Sequence, residues 1–122
     1  MRSVLIADDE PGIRSLVCAT LQSDAYRVLE AEDGDAAWEL IRAHPCPVAI
    51  LDARMPGKTG LDVARLIKGD PRLAGTFVIM LSARAAREDV AAGLAAGVDL
   101  YLTKPFSPLE LCGAVEEASG PA

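Results

Sequence analysis

Five times along the chain, a short run of Val, Ile and Leu is followed by a longer stretch whose apolar residues recur at helical spacing. Few folds can absorb that pattern. The runs are SVLIA (3–7), YRVLEA (26–31), VAILD (48–52), FVIML (77–81) and VDLYLT (98–103). Between them, Ile13, Leu16, Val17 and Leu21, then Ala37, Leu40 and Ile41, then Val63, Leu66 and Ile67, then Val90, Ala91 and Leu94 each mark one apolar stripe of a helix. Continuous apolar strands are buried on both faces, and parallel neighbours need a crossover helix between them. The pattern therefore predicts an α/β domain: an open five-stranded parallel sheet with helices on both sides.

Local signals agree. Pro11 falls where a first helical turn tolerates it, after Asp9 or Glu10 as cap, and Gly34, Gly60, Gly69 and Gly97 punctuate helix boundaries. Thr59 is placed to cap the third helix. No internal repeat or linker interrupts residues 1–122, so they read as one domain with a core over about 2–118 and a loose tail at 119–122. Composition is ordinary for a globular chain, with 51% hydrophobic and 25% charged residues. No apolar run approaches a membrane span, and the start lacks a secretory pattern, so a cytoplasmic protein is expected. The formal net charge of −6, without a Lys/Arg cluster, argues against direct nucleic-acid binding. Cys18, Cys46 and Cys112 show neither CxxC nor Cys/His spacing, which leaves no zinc site or disulfide framework to expect. His44 reads as a solvated loop residue and Trp38 as core packing.

The stretch LDARMPGKTG (51–60) brings phosphate chemistry into question. Gly57-Lys58-Thr59 resembles the end of an ATP-binding loop, but counting back five residues from Gly57 reaches Asp52 rather than glycine. An anionic side chain there would repel a phosphate, and Pro56 offers no amide to hold one. The other reading looks to the carboxyl ends of the strands, where open parallel sheets bind ligands. Asp8 and Asp9 end the first run, Asp52 the third, Ser82 the fourth, and Lys104 follows the fifth. With strand order 2-1-3-4-5, strands one and three are neighbours, so three carboxylates converge. Such a cluster calls for a cation, and hard oxygen donors without Cys or His favour Mg2+. Three carboxylates, one Mg2+ and Lys104 sum to about neutral, which suits a phosphoryl group.

The motifs ADDE, LDARMPGKTG, LSA and YLTKPF, in this order and at this spacing, resemble the receiver domains of bacterial two-component response regulators over nearly the whole chain. The resemblance implies a flavodoxin-like doubly wound (βα)5 fold, and a phosphorylation-activated switch rather than an enzyme acting on a separate substrate. By resemblance, Asp52 is the phosphoacceptor for a sensor histidine kinase or phosphotransfer protein. Asp8, Asp9, Asp52 and the backbone carbonyl of Arg54 hold Mg2+, and Lys104 and Ser82 contact the phosphoryl oxygens. Tyr101 is the aromatic that changes rotamer with Ser82. The family also implies a cis bond between Lys104 and Pro105.

Many related domains dimerise through charges on the face of the fourth helix, fifth strand and fifth helix. Here Val90, Leu100 and Ala114 stand at the matching positions, so the expectation shifts to an apolar docking face with Tyr101 for a downstream effector, or to a different homodimer. Arg54 and Arg84 flank the phosphosite and are expected to tune the lifetime of the phosphoryl group. Competing readings are a receiver fragment of a larger regulator or hybrid kinase, and a receiver-like adaptor that does not switch. A haloacid-dehalogenase-type phosphohydrolase is a third, disfavoured because position 54 is Arg where that chemistry needs a second acid.

Overall fold

The computed structural model describes residues 2–21, 26–82 and 95–119. Strands β1 (Arg2–Ala7), β2 (Tyr26–Ala31), β3 (Val48–Asp52), β4 (Phe77–Ser82) and β5 (Leu100–Thr103) alternate with helices α1 (Pro11–Leu21), α2 (Gly34–Ala43), α3 (Gly60–Gly69) and α4 (Pro108–Ser119). The helix expected around Val90 and Leu94 lies outside the described residues, as does Arg84. All strand pairings are parallel, in the order β2-β1-β3-β4-β5. This is the predicted doubly wound α/β sheet.

Strand parity sorts the core into two layers. Val4, Ile6, Val48, Ile50, Ile79 and Leu81 face one side with Val17 and Leu21 of α1 and Leu111 and Val115 of α4. Leu5, Ala7, Ala49, Leu51, Val78 and Met80 face the other side with Ala37 and Ile41 of α2 and Val63 and Ile67 of α3. Successive side chains point to opposite faces, so two helix layers consume both faces, which is why the strands read as unbroken apolar runs. Tyr101 packs against the α2/α3 layer, whereas its neighbours Leu100 and Leu102 pack against the α1/α4 layer. Trp38 packs partly into the α2/α3 layer, with the Arg42 guanidinium 5.2 Å over its ring.

Helix boundaries follow side-chain chemistry. Asp33 caps α2 by accepting from the Ala36 amide, and Thr59 caps α3 in a reciprocal box with Asp62. Ser107 and Glu110 form the same arrangement at the start of α4: the Glu110 amide donates to Ser107 Oγ at 3.0 Å, and the Ser107 amide donates to Glu110 Oε1 at 3.2 Å. The chain remains helical as far as Ser119, one residue into the stretch read as a tail. The fifth strand begins at Leu100 rather than Val98; Val98 is buried in the α2/α3 layer and the Asp99 amide donates to the Val78 carbonyl. Gly60 opens α3 hard against the sheet, where a Cβ would overlap the Asp52 carbonyl oxygen and approach the Met80 sulfur.

Candidate functional site

The carboxyl ends of β1, β3, β4 and β5 meet at an open cavity of about 580 Å³, lined by Asp9, Glu10, Asp52, Ala53, Arg54, Thr59, Leu61, Ser82, Tyr101 and Lys104. Register explains the convergence. β1 and β3 pair through Ala7↔Leu51, so the next residues along the two strands, Asp8 and Asp52, come to lie side by side. β3 pairs with β4 through Asp52↔Leu81, one residue before Ser82, and the Lys104 amide donates to the Ser82 carbonyl at 2.7 Å.

Asp8 is fully buried, Asp52 is 6% exposed and Ser82 7% exposed. Lys104 Nζ lies 3.0 Å from Asp8 Oδ2, 3.3 Å from Asp52 Oδ1 and 3.7 Å from Glu10 Oε1. One ammonium thus serves three carboxylates. Burial, and secondly the charge of Asp8, push the Asp52 carboxyl up from the usual 3.8 to about 6; Lys104 and a backbone hydrogen bond at Arg54 pull against this rise. Burial by itself lowers the Lys104 pKa, but its hydrogen bond to Asp8 and the charges of Asp52 and Asp8 outweigh burial and leave it above its ordinary value. Asp8 is fixed further: its Oδ1 accepts from the Glu10 amide at 2.9 Å, and its carbonyl accepts from the Arg14 guanidinium at 2.6 Å.

Asp8, Asp9 and Glu10 each offer a carboxylate oxygen within 4.8 Å of the others. The reading from sequence groups Asp52 with Asp8 and Asp9; among the described residues Glu10 joins Asp8 and Asp9 within that spacing, while Asp52 is linked to Asp8 through Lys104. From sequence, Glu10 reads only as a possible helix cap. The turn after β1, closed by the Glu10 amide donating to Asp8, brings Glu10 over the same cavity. Of the remaining expected residues, Arg54 is exposed at the rim, and Tyr101 is half-buried on the cavity wall. The Lys104–Pro105 bond is cis. Leu100 and Ala114 are half-buried against the α1/α4 layer, and Val90 lies outside the described residues.

Residues 4–116 match the family of response regulator receiver domains. The chain belongs to that family. As a receiver domain of two-component signalling, its general function is a phosphorylation switch in which an aspartate takes the phosphoryl group. Among related proteins, the response regulator GtcR of Aneurinibacillus migulanus is 39% identical over 115 residues, covering 94% of this chain and 46% of that protein. The phosphate regulon transcriptional regulatory protein PhoB of Escherichia coli is 36% identical over 94% of this chain and 50% of its own length. This receiver domain therefore spans about half the length of those curated relatives. Its fold superposes on the chemotaxis protein CheY4 of Vibrio cholerae with a TM-score of 0.90 at 31% identity, covering 97% of this chain and 98% of that one. The signal receiver domain of the response regulator NarL from Mycobacterium tuberculosis gives 0.89 at 37% identity, covering 98% of both chains.

Proposed function

We propose that this receiver domain takes a phosphoryl group onto Asp52 from a phosphohistidine of a sensor histidine kinase or phosphotransfer protein, in a Mg2+-dependent reaction in the cytoplasm. It then signals by binding another protein. The observation that carries this reading is the placement of Asp52: a buried carboxylate at the end of β3, beside Asp8 and Lys104, in a cavity open to solvent.

The donor set fits Mg2+. Asp8, Asp9, Asp52 and the Arg54 carbonyl are hard oxygen donors, Glu10 adds another, and among the described residues no sulfur or imidazole lines the cavity. A bound Mg2+ would neutralise charge on the phosphoryl oxygens and on Asp52 together. The chain's own residues do the rest. With a pKa of about 6, Asp52 is about nine-tenths ionised at pH 7, so the nucleophile is available without a general base. One of its carboxylate oxygens forms the new bond to phosphorus while the phosphorus–nitrogen bond to the donor imidazole breaks, its electron pair staying on the ring nitrogen. Lys104, already 3.3 Å from Asp52, stays within reach of the phosphoryl oxygens of the product. Arg54 at the rim is placed to affect how long that product lasts.

Ser82 and Tyr101 share a sheet face by strand parity and are offset by two residues in register, since Met80 pairs with Tyr101 and Ser82 with Thr103. A phosphoryl group drawing the Ser82 hydroxyl inward would free space along that face for Tyr101 and carry the change to the surface around Leu100, Tyr101 and Ala114, where an effector docks. The relatives GtcR and PhoB are about twice as long as this chain, which favours a place within a longer regulator as the second reading. Intact mass after incubation with acetyl phosphate tests the primary one. One added phosphoryl group that requires both Mg2+ and Asp52 is expected; equal loading of Asp52→Asn would refute it.

A further inference from the structure

Two residues in the first turn of α2 grip the loop that follows Asp52. Lys58 Nζ lies 2.5 Å from Asp35 Oδ1, a pairing across 23 positions of sequence. Beside it, the Gly34 amide donates to the Pro56 carbonyl at 3.4 Å, and Gly34 packs so closely that a Cβ there would overlap the Lys58 carbonyl oxygen. The other end of the loop is closed by the Gly60 amide donating to the Ala53 carbonyl at 3.2 Å, and Met55 anchors the middle in the α2/α3 layer. Residues 53–59 are thereby held at both ends and at their centre. That loop supplies Ala53, Arg54 and Thr59 to the cavity, and the Arg54 backbone hydrogen-bonds Asp52.

From this geometry we infer that Asp35 and Lys58 are positioning residues for the Mg2+ site, holding the Arg54 backbone where Asp52 and a cation can use it. Neither side chain lines the cavity. Their effect passes through the loop, and the inference rests on the reading of that cavity as a Mg2+ site. The pair is partly exposed, at 38% for Lys58 and 59% for Asp35, so it acts as a modest clamp rather than a dominant contact.

The sign of one substitution separates positioning from simple electrostatics. Removing the positive charge of Lys58 raises the attraction of the region for a cation, so a field effect alone would make Lys58→Met bind Mg2+ more tightly. Positioning predicts the reverse. Calorimetric titration of the full chain with MgCl2 should show Lys58→Met weakened about threefold and the charge swap Asp35→Lys with Lys58→Asp returned close to wild type. A second readout needs no metal: the Gly34 amide, which donates into the loop, should exchange its proton faster in Lys58→Met and return to the wild-type rate in the swap. Unchanged or tighter Mg2+ binding in Lys58→Met would overturn the inference while leaving the Mg2+ site standing. Absence of Mg2+ binding by the wild type would remove the site itself and the inference with it.

Discussion

Asp52 carries an electrostatic burden that its neighbours on the strands do not, because it is buried beside a second buried acid, Asp8. Its folded-state pKa of about 6 lies above the usual 3.8. The native state therefore binds this proton more tightly than the unfolded chain, and ionising Asp52 costs stability as pH rises between those two values. The cost is complete above about pH 7 and reaches at most about 3 kcal/mol; Asn at this position avoids it but also gives up part of the Lys104 contact. In EDTA, Asp52→Asn should gain stability over wild type as pH goes from 4 to 7, followed by urea unfolding; a gap that does not change with pH would contradict the assignment. Lys104→Met acts in the opposite sense, leaving Asp8 and Asp52 facing each other without their cation. Its melting temperature at pH 7 should fall by several degrees, with part of the loss recovered on adding MgCl2. A melting temperature indifferent to both changes would show that Lys104 does not balance these acids.

At the scale of elements, the docking of α3 sets the far wall of the cavity. Thr59→Ala removes one half of the capping box with Asp62 and should cost about 1 kcal/mol. Gly60→Ala should cost more, about 2 kcal/mol or above, because the added methyl meets the Asp52 carbonyl and the Met80 sulfur. Denaturant midpoints for the two variants would check the order; a milder effect from Gly60→Ala would mean that α3 can shift at little cost. The strands were legible in the sequence, because burial on both faces leaves unbroken apolar runs and parallel pairing demands the intervening helices; their order is not carried by those runs and came with the doubly wound fold. The strand-end residues Asp8, Asp52, Ser82 and Lys104 were legible for the same reason. Glu10 was not, since its approach to Lys104 depends on how the chain turns after β1. Nor was the pairing of Asp35 with Lys58: nothing in local spacing connects the start of one helix to a loop two elements further on.

For the molecule as a whole, the question is how a change at one end of the sheet reaches a partner. Among the described residues no helix is long and apolar enough to cross a membrane, and the formal net charge is −6. If Leu100, Tyr101 and Ala114 form a contact between copies, sedimentation with Mg2+ and beryllofluoride should show a dimer that is absent without them; a monomer under both conditions would direct that face toward a different protein. All of this depends on which carboxylate receives the phosphoryl group, and the sequence permits a direct answer. Trypsin releases Ala43–Arg54, in which Asp52 is the only side-chain carboxylate, separately from Ser3–Arg14, which holds Asp8, Asp9 and Glu10. Protein loaded with acetyl phosphate and Mg2+ should be reduced with borohydride, which converts an acyl phosphate to an alcohol, and the peptides weighed. Reduction confined to Ala43–Arg54 is the result predicted here; a reduced Ser3–Arg14 peptide beside an unmodified Ala43–Arg54 would contradict it.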